Sequence, residues 1–405
     1  MGSNPASRAS LRQRDSAIGP SPARFEITLA SPLKRLERRL RALVIRALCA
    51  AMPRADARTP PDWSARPHRV LYLRHDRIGD MIVATGLIRA IASSHPTITL
   101  DVLASPANAP VLAQDPRVRR VLRFDRARPL SWIALVRDMR RARYDAVIDC
   151  MVFAPSVTTL LLMLASGARH RIGVGGRAND AAFTIPVAPR RSVIHHIDHA
   201  AALGSAFGLD PDHTDWRPEI ILGNDERERA ESIWSSHTGD RRILVNVSAG
   251  KAFRRWPEER YVAAIRHLRQ RQPAATILVI GSPDEDERVA RIAGEGGAPH
   301  VRTGSLREAL ALVATSDFVF TPDTSIGHAA SAFRTPAVIM FITRMAPIWG
   351  PYRMPGRALS SADKTLASLP LEPVLSALDA LLDETASRDR NHLAPRRTVA
   401  SSGSP

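Results

Sequence analysis

A chain of 405 residues, 44% of them apolar, exceeds a single typical domain, so two domains facing a cleft are expected. The formal net charge of +17 points to an anionic partner such as nucleic acid, phospholipid headgroups or a phosphorylated glycan. The two cysteines, Cys49 and Cys150, exclude a disulfide framework and a cysteine metal site and suit a reducing cytoplasm. No apolar run reaches the roughly 18 residues of a membrane span.

From Met1 to Pro22 the chain is rich in Ser, Ala, Arg and Pro and lacks the apolar stretch of a signal peptide, so it is expected to be disordered. Ser31 and Pro32 then open a helix as N-cap and first helical residue, and Pro53 ends it. Leu33, Leu36, Leu40, Leu43 and Ala47 share one face of that helix, while Lys34, Arg35, Arg38, Arg39, Arg41 and Arg46 load the rest. A basic amphipathic helix over residues 31–53 suits an anionic membrane surface, and equally suits packing on its own protein. Pro60, Pro61 and Pro67 read as a linker, which closes a basic N-terminal region 1–66.

Beyond His68, short apolar runs alternate with amphipathic helices, the pattern of a doubly wound parallel sheet. Strands are predicted at Val70 to Leu73, Ile98 to Leu103, Val118 to Phe124, Ala146 to Ile148 and His170 to Val174, with helices at Gly79 to Ser94, Ser131 to Arg143 and Ser156 to Ala165. Helices are also predicted from His195 to Phe207 and from Asn224 to Ser236, with the domain boundary near Gly239. A second alternation follows, with strands at Ile243 to Val247, Thr276 to Ile280, His300 to Val301, Phe318 to Phe320 and Ala337 to Phe341. Helices from Pro257 to Arg271, Glu285 to Ala293 and Leu306 to Ala314 separate them, Leu371 to Leu382 is a last helix, and 386–405 is expected to be disordered. The fold class is therefore α/β, with two Rossmann-like domains, 67–238 and 239–385, whose ligands bind beyond the carboxyl ends of the strands.

The loops at those ends carry the chemistry. Thr321 to His328 runs from a strand straight into a small-residue helix, whose first N–H groups offer a seat for phosphate beside Asp323, Thr324 and Ser325. In Arg74 to Asp80, Gly79 permits a tight turn and Asp80 sits at a helix start, where an ionised carboxylate facing a cleft can act as a general base. Ser248 to Pro257 brings Lys251, Arg254 and Arg255 ahead of a helix, cations able to offset a diphosphate without a metal. Gly281 to Glu285 places a carboxylate where a ribose sits in dinucleotide-type folds. Taken singly, each loop also reads as an ordinary helix cap or a solvated surface. The D-x-D spellings Asp210 to Asp212 and Asp284 to Asp286 lie in loop and helix-start contexts unlike a metal site.

Together, in this order and spacing, the four loops resemble the heptosyltransferase family, glycosyltransferase family 9, over about His68 to Phe341. The resemblance extends to the His195 to Gly208 segment, similar to the family's inter-domain helix. It implies a GT-B fold, an acceptor-binding first domain and a nucleotide-sugar-binding second domain. It implies transfer of a sugar, typically heptose from ADP-heptose, onto lipopolysaccharide core with inversion. On the matching positions, Asp80 is the implied base, and Arg254 stands where the family has a Lys that neutralises the leaving diphosphate. Glu285 is the implied ribose-binding acid, and Asp323, Thr324 and Ser325 the donor-binding turn, with Ser248, Lys251, Arg255, Ile326 and His328 beside them. Arg74 and Arg77 are the candidates for acceptor phosphates. Departures are Arg254 for Lys, Ser325 for Gly and Gly86 for Pro; they leave the transferase reading intact and the donor open to a different sugar.

No cofactor or metal is expected beyond the nucleotide-sugar co-substrate. The expected partners are that nucleotide-sugar and a lipid-linked glycan. The expected location is the cytoplasm, peripheral to the inner membrane through residues 31–53. Two rival classes share some of these features. A nucleotide-sugar epimerase would use the same donor site without an acceptor. A basic nucleic-acid-binding protein would explain the charge, but aromatics are only 5% of the chain and no stacking or zinc motif occurs, so no specific nucleic acid is expected.

Overall fold

The computed structural model describes residues 32–52 and 59–393, so the Met1 to Pro22 tail, the Ser31 cap, the Pro53 stop and the end from 394 lie outside the described residues. In chain order the first unit comprises α1 (Pro32–Ala51), β1 (His68–Arg74), α2 (Ile78–Ser94), β2 (Ile98–Ala104), β3 (Val118–Arg123), α3 (Leu130–Ala142), β4 (Ala146–Asp149), α4 (Val157–Ser166), β5 (His170–Val174), β6 (Ile185–Val187) and α5 (His196–Ala200). There follow α6 (Asn224–Ser235), β7 (Arg241–Asn246), α7 (Glu258–Arg271), β8 (Ala275–Ile280), α8 (Asp286–Gly296), α9 (Leu306–Ala314), β9 (Phe318–Pro322), α10 (Ser325–Phe333), β10 (Ala337–Phe341), α11 (Ala346–Trp349), β11 (Gly356–Ser360) and α12 (Leu371–Leu393).

Two parallel sheets result, one of six strands in the order β3-β2-β1-β4-β5-β6 and one of five in the order β11-β10-β9-β7-β8. Central strands such as Val70 to Leu73 and Phe318 to Phe320 are buried on both faces, which is why they read as unbroken apolar runs rather than alternations. In each sheet the chain winds outward on one side, returns and winds outward on the other. The crevice at that reversal opens between β1 and β4 in the first sheet and between β7 and β9 in the second. The loops after β1, β7 and β9 are therefore brought to crevices by topology alone.

One face of the first sheet packs Leu71, Leu73, Leu103 and Val147 beneath α1, α3 and α4. The other face carries α2, and its apolar cluster continues into the second unit through Leu310, Leu312, Ala329 and Ala330. Helix α2 packs on α10, which joins the two units at the site itself. Gly86 is required where it stands: a Cβ there would lie 2.2 Å from the Trp216 carbonyl oxygen, so α2 rests directly on that backbone.

Several elements differ from the expectation. Helix α6 precedes Gly239 yet packs on α9: Trp234 Nε1 donates to Thr315 Oγ1 at 2.9 Å, and Arg307 Nε donates to Glu226 Oε1 at 2.7 Å. The span His195 to Phe207 is not one helix but α5 followed by a 3₁₀ stretch, Ala201–Phe207. His300 makes a single bridge to Val279 rather than opening a strand. Helix α12 does not stop at Leu382, and 386–393 are helical rather than disordered: no Gly or Pro interrupts Val374 to Leu393. Leu378, Leu381 and Leu382 bury its inner face, and Arg357 Nη2 ties its outer turn to Glu384 Oε2 at 2.8 Å.

Candidate active site

In the first unit, β1 ends on Arg74 and α2 begins at Ile78, with Arg77 as N-cap and Asp80 in the first turn. The Arg74 side chain is buried at 3% exposure; its Nη2 lies 3.2 Å from Asp80 Oδ1, and its Nε donates to the Asp80 carbonyl at 2.9 Å. The same guanidinium reaches Asp76 Oδ1 at 3.3 Å and donates from Nη1 to the Cys150 carbonyl at 3.2 Å. This corrects one expectation: Arg74 has its donors committed to the loop and cannot greet an acceptor phosphate, but instead fixes the carboxylate of Asp80. Arg77 is exposed at the helix start.

In the second unit, Asn246 at the end of β7 is the buried hub that ties the loop after β7 to the loop after β9. Its Nδ2 donates to Thr321 Oγ1 at 2.9 Å and to Thr324 Oγ1 at 3.2 Å, while its Oδ1 accepts from the Ser248 N–H at 3.3 Å. Ser248 Oγ in turn accepts from the Ser282 N–H at 2.7 Å, tying in the loop that carries Glu285. Thr324 caps α10, its Oγ1 accepting from the Ile326 N–H at 3.3 Å, and Ser325 is the first helical residue. Ile326 is buried beneath this turn. Arg254 Nη1 lies 3.0 Å from Asp323 Oδ2, and its buried Nε has no hydrogen-bond partner among the described residues. Arg255 Nε pairs with Glu285 Oε1 at 2.7 Å, and Glu285 Oε2 is buried with no hydrogen bond among the described residues. Lys251 is exposed at the lip of the same loop.

The two units meet where these loops end. A Cβ on Gly79 would sit 2.5 Å from His328 Cδ2, so the turn before Asp80 lies against the imidazole of the donor helix. Burial lowers the proton affinity of His328, while the carboxylates of Asp323 and Asp80 oppose that effect and Arg254 adds to it. One histidine thus lies within the fields of Asp80, Asp323 and Arg254. Trp349 of α11 stands 5.8 Å from His328, centroid to centroid, and stacks on His196 of α5 at 4.2 Å. His195 Nε2 contacts the Gly350 carbonyl at 3.1 Å, and Tyr352 donates to Asp198 Oδ1 at 2.7 Å. These pairs clamp α5 of the first unit to the α11 region of the second.

The structure also shows polar residues that were not singled out in the sequence. Asp149 ends β4, at the reversal of the first sheet, and its buried Oδ2 has no partner among the described residues; the same holds for Arg177 Nη1, Asn179 Oδ1 and His196 Nδ1. Burial pushes the Asp149 carboxyl up to about 6, against the Met151 N–H and the charges of Arg74 and Arg177. The position at a strand end beside the crevice was the available signal for Asp149; the others come from loops whose path only tertiary packing defines. Asp212 pairs with Arg190, and Asp210 Oδ2 lies 2.6 Å from His213 Nδ1, so the first D-x-D spelling is engaged in local ion pairs.

Asp149 sets a pH dependence of stability. Its folded pKa, about 6, lies above the ordinary value of 3.8, so the native state binds the extra proton between those values and stability falls as pH rises through about 6. A shift of this size corresponds to roughly 3 kcal/mol. Asp149→Asn is expected to remove that slope, raising Tm at pH 8 by several degrees relative to wild type and changing it little at pH 4. Thermal melts of both proteins across this range check it.

Two parallel doubly wound sheets, with a carboxylate-bearing turn on one and a capped, cation-flanked helix start on the other, define a GT-B fold. Residues 132–369 match the model of glycosyltransferase family 9 (heptosyltransferase). The chain belongs to that family. It is 24% identical over 346 residues to lipopolysaccharide heptosyltransferase 3 of Escherichia coli K12, covering 77% of this chain and 98% of the relative. It is 21% identical over 301 residues to lipopolysaccharide heptosyltransferase 2 of the same strain, covering 67% and 82%. Among solved structures, a family 9 glycosyl transferase from Veillonella parvula superposes with TM-score 0.69 at 17% identity, covering 80% of this chain and 99% of that one. E. coli heptosyltransferase WaaC with ADP-2-deoxy-2-fluoro heptose superposes with TM-score 0.62 at 18% identity, covering 78% and 99%.

Proposed function

We propose that this protein transfers heptose from ADP-heptose to a lipopolysaccharide core acceptor, with inversion at the anomeric carbon and with Asp80 as general base. The observation that carries the proposal is the meeting of α2 and α10, which sets the turn of Asp80 against the helix that bears Asp323, Thr324, Ser325 and His328. The named activity of the relatives, and the ADP-sugar in the WaaC structure, support the choice of donor and acceptor.

In this reading the acceptor hydroxyl attacks from the side of the first unit as ADP departs toward the second, a single displacement. A carboxylate is a weak base, so Asp80 takes the proton late, once the bond to the anomeric carbon has acidified the attacking oxygen. Arg74 holds that carboxylate in place and leaves one oxygen for the acceptor. Charge on the departing diphosphate is met by Arg254, by Lys251 and by the N–H groups that begin α10. With those cations in place the chemistry needs no metal and no further cofactor. Glu285 Oε2 accepts from the ribose, and Ser248 and Arg255 shape the wall beside it. Arg77, exposed at the start of α2, faces the acceptor sugar. The acceptor is lipid-linked, and the enzyme works at the cytoplasmic face of the inner membrane, held there peripherally by α1.

The test is calorimetric titration of the protein with ADP, UDP, GDP and dTDP, with and without magnesium. ADP is expected to bind tightest and without magnesium, and Asp323→Ala to abolish its binding. Preference for another nucleotide would discard the ADP-heptose donor.

A further inference from the structure

We infer that α1, α3 and α4 together form one docking platform for an anionic phospholipid surface and hold the acceptor side of the cleft against it. The inference draws on the proposed lipid-linked acceptor only for its orientation; the platform itself stands on the geometry.

Helix α1 has two apolar faces, and the protein uses only one. Ile45, Cys49 and Met52 are buried against the first unit, whereas the leucine stripe remains open, with Leu36 and Leu40 each 53% and Leu43 59% exposed. Packing on its own protein, the second fate open to this helix in the sequence, thus leaves the leucines presented outward. Helix α4 packs between α1 and α3, and the exposed apolar surface continues across all three. Leu161 of α4 is 47% exposed, and Leu130 and Ile133 of α3 are 85% and 73% exposed, next to Trp132. Among the described residues, every exposed large apolar side chain except Ile194 and Phe253 lies on this layer. Single exposed apolar residues are ordinary, but their confinement to one face marks an interaction surface.

The charge around the leucines selects the occupant. Arg39, Arg41 and Arg46 of α1 and Arg137, Arg140 and Arg141 of α3 are exposed around this layer, with Glu37 the one acidic residue of α1. A second copy of the chain would bring arginines against arginines, whereas a leaflet of anionic lipid offers them phosphates and offers the leucines its acyl boundary. No helix among the described residues is long and apolar enough to cross a membrane, so the layer lies on the surface. The groove between α1 and α4, lined by Leu36, Leu40, Val44 and Val157, faces the same side.

The platform also has an orientation. Helices α3 and α4 start just after β3 and β4 end, so Leu130 and Val157 lie at the sheet edge that carries Asp80 and Asp149. Arg41 Nη2 donates to the Pro155 carbonyl in the loop between β4 and α4 at 2.7 Å, fixing α1 to that edge. A lipid-linked acceptor leaving the bilayer at this rim has a short path to the base.

Flotation of the full chain with vesicles of phosphatidylglycerol and phosphatidylcholine, and of phosphatidylcholine alone, tests the proposal. Binding is expected to the mixed vesicles only, and to fall about tenfold in Leu36→Ser/Leu40→Ser and by a similar factor in Leu130→Ser/Ile133→Ser. Arg137→Gln/Arg141→Gln, which removes no apolar contact, is expected to weaken it several-fold. All three variants should keep wild-type kcat on a water-soluble, delipidated acceptor. Unchanged vesicle binding in the α3 variants would overturn the platform. So would equal binding to neutral vesicles, or a concentration-dependent dimer that these variants dissolve while no vesicle binds. A donor other than ADP-heptose would leave the flotation result untouched, so failure of the function and failure of the platform are read separately.

Discussion

Asp80→Asn is expected to lower kcat by about 10³-fold while changing ADP affinity less than about twofold, as loss of a general base does when binding is intact. The amide keeps an oxygen where Oδ1 lies 3.2 Å from Arg74 Nη2, and the Arg74 Nε bond to the Asp80 carbonyl is untouched, so the loop should hold its shape. What it lacks is a site for the acceptor's proton. Rapid-quench measurement of sugar transfer, with ADP calorimetry on the same protein, separates the two quantities. A variant that retained more than about a tenth of wild-type kcat would assign the base elsewhere.

Arg254→Ala is expected to cost about 10²–10³-fold in kcat, since in the proposed mechanism it removes a cation that meets the leaving diphosphate. The side chain is held by Asp323, Nη1 to Oδ2 at 3.0 Å, while its buried Nε has no partner among the described residues. One edge of the fork is therefore anchored and the other is left for the ligand. Arg254→Lys should recover charge but not the two-pronged geometry, and so restore activity in part. Steady-state kcat and KM for the three proteins check this; equal loss in Ala and Lys variants would point to the fork rather than to its charge. A rise in KM with kcat unchanged would contradict a role in the transition state.

Much of this arrangement is legible in the residues, and the reason is topological. Parallel strands buried on both faces announce themselves as apolar runs, and the loops after β1, β7 and β9 hold Asp80, Arg254 and Asp323 because the winding of each sheet reverses there. What escaped has equally physical causes. Strands β6 and β11 are short, with Pro186 in one and a half-exposed Gly356 to Ser360 in the other, so neither shows an apolar run. Arg74 reads in sequence as one more loop cation, and only its burial reveals that it positions Asp80. Asn246 and Asp149 are strand-end polar residues whose roles depend on neighbours far along the chain. The end of α12 resembles a tail because Asp383 to His392 is a polar run with no apolar period, although no Gly or Pro interrupts it.

The amphipathic helix makes the same point at the surface. Its periodic leucines are the obvious apolar stripe, yet the protein buries Ile45, Cys49 and Met52 instead. Periodicity identifies a face suited to an apolar partner and does not say which partner takes it.

The central claim is transfer from an ADP-sugar by single displacement across the α2–α10 junction. It is tested most directly by incubating the protein with ADP-heptose and a heptose-deficient lipopolysaccharide core acceptor, then determining the anomeric configuration of the product by NMR. ADP release should require the acceptor, and the product should carry the anomeric configuration opposite to that of the donor. Retention of configuration, or conversion of the donor with no acceptor present, would contradict it.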